Sequence, residues 1–139
     1  MAGLRLGYVV ARPELIAEAR KCRGPYDINR LAVEAALGQL EHMEALREHV
    51  TEIMTRSKPY IELYWRNAGI KFAPGAANFM MVEPPDRDSL VQHLAKNNIL
   101  VRSLHGPRLA TSFRMSLGSV EEMRQFTAVV DRYLHGAMR

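Results

Sequence analysis

A chain of 139 residues is the size of one ordinary domain, and its 47% hydrophobic and 24% charged residues exclude a disordered or fibrous class. Lys and Arg exceed Asp and Glu by 19 to 15, but they are scattered among the acids, which argues against a nucleic-acid partner despite a calculated pI near 9.5. The lone Cys22 excludes an internal disulfide, no apolar stretch approaches the ~20 residues that span a bilayer, and the opening residues carry no secretory-signal pattern, so a cytoplasmic protein without a membrane partner is expected.

Leu4 to Ala11 is rich in branched apolar residues with little polar alternation, the pattern of a strand buried on both faces. A chain that begins inside a strand is expected to be truncated or to carry an element awaiting a neighbour. Pro13, whose missing N–H costs nothing in a first helical turn, opens a helix over Glu14 to Lys21 that stops near Gly24-Pro25. From Asn29, the spacing of Leu31, Ala35, Leu37 and Leu40 predicts a second helix. A longer one follows from Met43 to Tyr64; Pro59 should kink or interrupt it, and Asn67-Ala68-Gly69 ends it.

The second half changes character. Ile70–Ala73, Asn78–Glu83, Ile99–Leu104 and Ser112–Leu117 are short extended runs separated by turn residues, which predicts four strands. Asp86 can cap a helix from Arg87 to Lys96, with Asn97-Asn98 ending it through a left-handed residue. Ser119-Val120-Glu121-Glu122 reads as a capping box ahead of a last helix whose apolar stripe is Met123, Phe126, Val130 and Tyr133. The expected fold is α+β: a small, mostly antiparallel sheet covered by helices on one face, preceded by a strand and two to three helices.

Three arginines stand in extended apolar runs: Arg5 in Leu-Arg-Leu-Gly, Arg102 in Leu-Val-Arg-Ser-Leu and Arg114 in Ser-Phe-Arg-Met-Ser. A guanidinium in such a setting sits at a strand edge, at the mouth of a cleft, or in an ion pair, because an uncompensated buried cation is too costly. Each alone is explained by an ordinary pair with a nearby Asp or Glu. Arg102 and Arg114 flank a turn containing His105-Gly106-Pro107, so if their strands are neighbours both heads can converge on one anion, as the planar fork of arginine suits phosphate and carboxylate. The residues by themselves specify an anion site and no reaction.

Ala-Gly-Leu-Arg-Leu-Gly-Tyr at 2–8 resembles the segment that follows the cofactor-binding lysine in fold-type-I pyridoxal-phosphate aminotransferases. Pro25-Tyr26-Asp27-Ile28-Asn29 is similar to that family's Pro-Tyr-Asn-Val-Asn stretch. Ala-Asn-Phe at 77–79, Ile-Leu-Val-Arg at 99–102 and Phe-Arg-Met-Ser-Leu-Gly-Ser at 113–119 resemble the small domain of its histidinol-phosphate branch. The resemblance covers the whole chain and a little under half of a full enzyme.

It implies a division into the end of a large-domain segment (1–28), connecting helices (29–68) and a small carboxyl-terminal domain (69–139). It assigns Arg5 to the cofactor phosphate, and Arg102 and Arg114 to the substrate anion; Asn78 matches a family position without a carried-over role. In the complete enzyme it implies pyridoxal 5'-phosphate, a small anionic amino substrate and a 2-oxo acid. The Schiff-base lysine belongs to the part of the family absent from this sequence, and Lys21, Lys58, Lys71 and Lys96 read as solvated surface. No catalytic residue is therefore assigned, and the chain alone is expected neither to bind the cofactor nor to catalyse transamination.

The five histidines lack metal-ligand spacing apart from the weak pair His42 and His49, so no metal site is expected, and Cys22 reads as an inert thiol. An alternative from another class is a free-standing interaction module derived from an aminotransferase small domain. Its unpaired Leu4–Ala11 strand would drive association, so a homo-oligomer is expected.

Overall fold

The computed structural model describes residues 2–25 and 27–136. Two compact units divide the chain, Met1–Leu46 and Arg47–Arg139.

In the first unit, helix α1 (Pro13–Lys21) begins at the proline as expected, and α2 (Arg30–Glu41) is capped by Asn29, whose side-chain oxygen accepts from the Leu31 N–H at 2.8 Å. The expected strand at Leu4–Ala11 is not formed. Ala2–Leu4 is a 3-10 turn, and the chain then runs without regular structure to α1, with Tyr8 94% and Val10 87% exposed. A strand needs a neighbouring backbone for its N–H and C=O groups, and none of the strands among the described residues pairs with this run. Apolar composition foretold burial, but burial requires a surface to pack on. Tyr26 of the Pro-Tyr-Asp-Ile-Asn motif lies outside the described residues.

Helix α3 (Met43–Glu52) carries the chain into the second unit and runs through a π-helical turn, Ile53–Ser57, into α4 (Lys58–Asn67). The interruption expected from Pro59 takes this form: hydrogen bonding widens in the turn just before the proline, so that the Lys58 N–H reaches back to the Ile53 carbonyl. Gly69, at φ +68°, then ends α4, and the Ile70 N–H closes on the Trp65 carbonyl at 3.0 Å.

Strands β1 (Lys71–Ala73), β2 (Phe79–Glu83), β3 (Arg102–Ser103) and β4 (Phe113–Ser116) form one antiparallel sheet in the order β1-β2-β4-β3. Helix α5 (Arg87–Lys96) connects β2 to β3, and α6 (Val120–Gly136) follows β4. Alternation along the strands sends Met80, Val82, Phe113 and Met115 to one face, where they are buried. On that face they meet Ile61 and Trp65 of α4, Leu90 and Leu94 of α5, and Phe126 and Val130 of α6, each pair four residues apart and so on one side of its helix. Trp65 packs edge-on to Phe126 with ring centroids 5.9 Å apart. This is the expected α+β arrangement of a small antiparallel sheet with helices on one face.

Strand β3 is shorter than the expected Ile99–Leu104 run. The Ile99 N–H is taken by the Leu94 carbonyl at 3.0 Å, closing α5 around left-handed Asn98 (φ +61°), and is lost to the ladder.

Candidate anion-binding site

The face of the sheet turned away from the core is set by the same alternation. Phe113 and Met115 point into the helices, so Arg114 between them points out. Arg114 pairs in register with Met81 of β2 on one side and Arg102 of β3 on the other. Directly opposed residues of an antiparallel pair project from the same face, about 4.5–5.5 Å apart at Cβ. The two arginines that the sequence placed on either side of the His105-Gly106-Pro107 turn are therefore neighbours on one surface.

Two like charges directly across a ladder repel. Among the described residues, the ion pairs are Lys21–Glu18, Arg30–Glu34, Arg66–Glu62 and Arg87–Asp88, and neither Arg102 nor Arg114 takes part in one. The Arg114 guanidinium lies instead over the Phe79 ring, 5.2 Å from its centroid. That contact favours the cation and fixes its direction without consuming its hydrogen-bond donors. Sequence reasoning missed Phe79; its place two residues before Met81, on the same outward face of β2, was the available signal.

The loop between β3 and β4 is closed at its base, where the Leu104 N–H donates to the Ser112 carbonyl at 3.0 Å, and Gly106 takes φ +104°, a value that favours glycine. Thr111 in this loop donates through its hydroxyl to Glu83 Oε1 at 2.8 Å, tying the loop to β2. Glu83 stands opposite Lys71 in register, yet the two form no ion pair.

Arg5 belongs to the first unit. It is exposed, has a left-handed backbone at φ +55°, and makes no ion pair among the described residues. Asn78 is exposed, and its carbonyl accepts the Leu117 N–H at 2.8 Å at the end of the β2–β4 ladder. Among the described residues no three His, Cys, Asp or Glu side chains gather as metal ligands, and no helix is long and apolar enough to cross a membrane.

In comparison with known proteins, residues 1–130 match the family model for aminotransferase class I and II. The chain belongs to this family. Similar curated relatives include the histidinol-phosphate aminotransferase of Geobacter sp. (strain M21), 39% identical over 127 residues, covering 90% of this chain and 36% of the relative. That of Chromobacterium violaceum is 33% identical over 135 residues, covering 96% of this chain and 38% of the relative. The chain thus spans a little over a third of the length of these aminotransferases. Among solved structures, histidinol-phosphate aminotransferase from Sinorhizobium meliloti in complex with pyridoxal-5'-phosphate superposes with a TM-score of 0.72 at 27% identity, covering 92% of this chain and 36% of that one. The L-threonine-O-3-phosphate decarboxylase from Porphyromonas gingivalis shares the fold, with a TM-score of 0.73 at 22% identity over 96% of this chain and 42% of that one.

Proposed function

We infer that the chain is the carboxyl-terminal part of a pyridoxal-phosphate-dependent aminotransferase of the histidinol-phosphate type, which supplies anion-holding arginines and does not transfer amino groups alone. The observation that carries this reading is the direct opposition of Arg102 and Arg114 on the face turned away from the core, neither of them neutralised by a carboxylate among the described residues. In this reading residues 1–28 close the large-domain segment, 29–68 connect, and 69–139 form the small domain. The complete protein is a cytoplasmic homo-oligomer acting on a phosphorylated amino alcohol or similar amine and a 2-oxo acid.

Arg102 and Arg114 hold the anionic end of that substrate. Their separation across one ladder step lets both guanidinium forks reach one phosphate or carboxylate, which orients the amine at the other end before any chemistry. Arg5 suits the phosphate of the cofactor, because its guanidinium is exposed and free of any carboxylate among the described residues. When bound in the complete enzyme, pyridoxal phosphate supplies the electron sink for amino transfer. Lys21 pairs with Glu18 at 2.6 Å and the Lys58 ammonium donates to the Gly75 carbonyl, contacts that support reading both as surface lysines.

The test is a titration of the isotope-labelled chain with inorganic phosphate, following the arginine Nε–H resonances. Arg102 and Arg114 are expected to move on one binding curve, and Arg102→Ala to weaken the response of Arg114 by about fivefold or more. Separate curves, or a response of Arg114 indifferent to Arg102, overturn the shared site. Mixed with pyridoxal phosphate, histidinol phosphate and a 2-oxo acid, the chain is expected to give no turnover; turnover, or a borohydride-trapped adduct on one defined lysine, refutes the reading of an inert part.

A second reading, a free-standing oligomeric interaction module, is favoured by one observation: Leu6, Tyr8, Val9, Val10, Leu31 and Leu40 of the first unit are all exposed. Sedimentation of a clean monomer at micromolar concentration sinks it.

A further inference from the structure

We propose that the sheet edge beside β1 carries a second anion site, separate from the Arg102–Arg114 pair, which binds a small molecule with a carboxylate head and an apolar body. The site is a trough of about 550 Å³ beside the edge strand β1. Ala73 of β1, Met81 of β2 and Leu109 of the β3–β4 loop give it an apolar lining, and Arg66, Lys71 and Arg108 supply three cations around it. A volume of that order accommodates a ligand of roughly ten to twenty heavy atoms.

The trough holds more cations than carboxylates. Lys71 stands directly across the ladder from Glu83, where a cross-strand ion pair is the ordinary outcome. That pair is not made, and the Glu83 carboxylate accepts from the Thr111 hydroxyl at 2.8 Å. Lys71 is left without a carboxylate among the described residues, and so is Arg108. Arg66 does have one, Glu62, at a loose 3.5 Å on the same helix. Its guanidinium also lies over the Phe72 ring, 5.9 Å from the centroid, a contact that holds it beside the trough. The three cations outnumber the two carboxylates of Glu83 and Glu62 by one, which leaves the trough positive. The Thr111–Glu83 bond has a second effect, since it anchors to β2 the loop that carries Arg108 and Leu109.

Two features distinguish this site from the arginine pair. Lys71 lies two strands away from Arg114, roughly 10 Å in the sheet, and the lining of the trough contains neither Arg102 nor Arg114. Its lining is also more apolar than polar, so a bare phosphate has little to gain there, whereas a carboxylate on an aromatic or branched aliphatic body satisfies both the cations and Met81, Ala73 and Leu109.

The experiment is a methyl and amide NMR titration of the full chain with benzoate, with benzylamine as the cationic control and benzyl alcohol as the neutral one. Benzoate is expected to shift the methyls of Ala73, Met81 and Leu109 along one curve, benzyl alcohol to do so about tenfold more weakly, and benzylamine not at all. The double variant Lys71→Ala, Arg108→Ala should weaken benzoate by about tenfold with an unchanged spectrum elsewhere, because both side chains are exposed. Arg114→Ala should leave benzoate affinity at the trough unchanged. The proposal fails if benzyl alcohol binds as well as benzoate, if the double variant binds normally, or if the benzoate response disappears with Arg114 instead of with Lys71 and Arg108. The last outcome would merge the trough with the arginine pair and leave the phosphate test of that pair untouched.

Discussion

Arg102 and Arg114 face each other across adjacent antiparallel strands, each the other's register partner, on the side of the sheet turned away from the buried core. Two guanidinium groups so placed repel, and the fold tolerates the cost because both reach solvent and Arg114 rests on Phe79. An anion between them turns repulsion into two charge-assisted contacts. Phosphate or sulfate at tens of millimolar should therefore raise the melting temperature of the wild-type chain, through binding to the native state alone. Arg102→Ala should abolish most of that gain while changing stability in anion-free buffer by no more than about 0.5 kcal/mol. Paired thermal melts with and without phosphate check this, and an undiminished phosphate effect in the variant counts against the pair.

Phe79 is the residue that aims Arg114. Its exposed ring contributes little to the core, so Phe79→Leu should lower stability by only about 0.5–1 kcal/mol, the scale of an exposed cation–π contact. Phosphate affinity should fall more noticeably, about twofold to threefold, because a freed guanidinium must be ordered again on binding. Calorimetric titration separates the two effects; equal phosphate affinity in both proteins would make the Phe79 contact incidental.

Much of this architecture was legible from local chemistry. Asp86 and the Ser119–Glu122 box cap the helices they were expected to cap, and Asn98 and Gly69 take left-handed backbones where the helices were expected to stop. Those signals work because a cap or a left-handed residue acts on backbone groups within four residues of itself. The run Leu4–Ala11 failed for the opposite reason: a strand is a relation to another segment, and apolar composition does not say which segment that is. The site was legible in the same measure. Two arginines around one short turn foretold a shared face, whereas Phe79, Lys71 and Arg108 enter through register and loop anchoring, which single-residue patterns do not encode. Pro59 is intermediate: the interruption of the helix was predictable, its form as a widened turn ahead of the proline was not.

The capping box gives the protein an acid-sensitive helix start. Glu122 is held below the usual carboxylate range, first by the Ser119 backbone N–H at 2.7 Å and then by the Ser119 hydroxyl. A carboxylate depressed in the folded state contributes stability above its unfolded pKa and loses that contribution as pH falls through the folded value. Acidification below about pH 4.5 should therefore loosen the first turn of α6, and Glu122→Gln should flatten that part of the stability–pH curve. Ser119→Ala should cost about 1 kcal/mol at neutral pH. Denaturant melts across the acidic range, compared between wild type and Glu122→Gln, decide it; parallel curves would deny Glu122 the role.

At the other end of the pH scale, Tyr64 is the sensitive group. Its hydroxyl donates to Asp131 Oδ1 at 2.7 Å, joining α4 to α6, and its pKa is pushed well above the ordinary tyrosine value by burial first and by the Asp131 carboxylate second. An acid whose folded pKa is raised is favoured protonated, so its contribution is complete below the unfolded pKa near 10 and is lost as pH climbs beyond it. Stability should thus decline as pH rises beyond about 10, and Tyr64→Phe should show less of that decline. At neutral pH the same substitution should cost about 1–2 kcal/mol, since it removes the donor that a half-buried carboxylate relies on. Asp131→Asn separates the two causes: it removes the charge while keeping an acceptor, so it should recover part of the alkaline loss, and a Tyr64 phenol that then titrates no earlier would assign the whole elevation to burial.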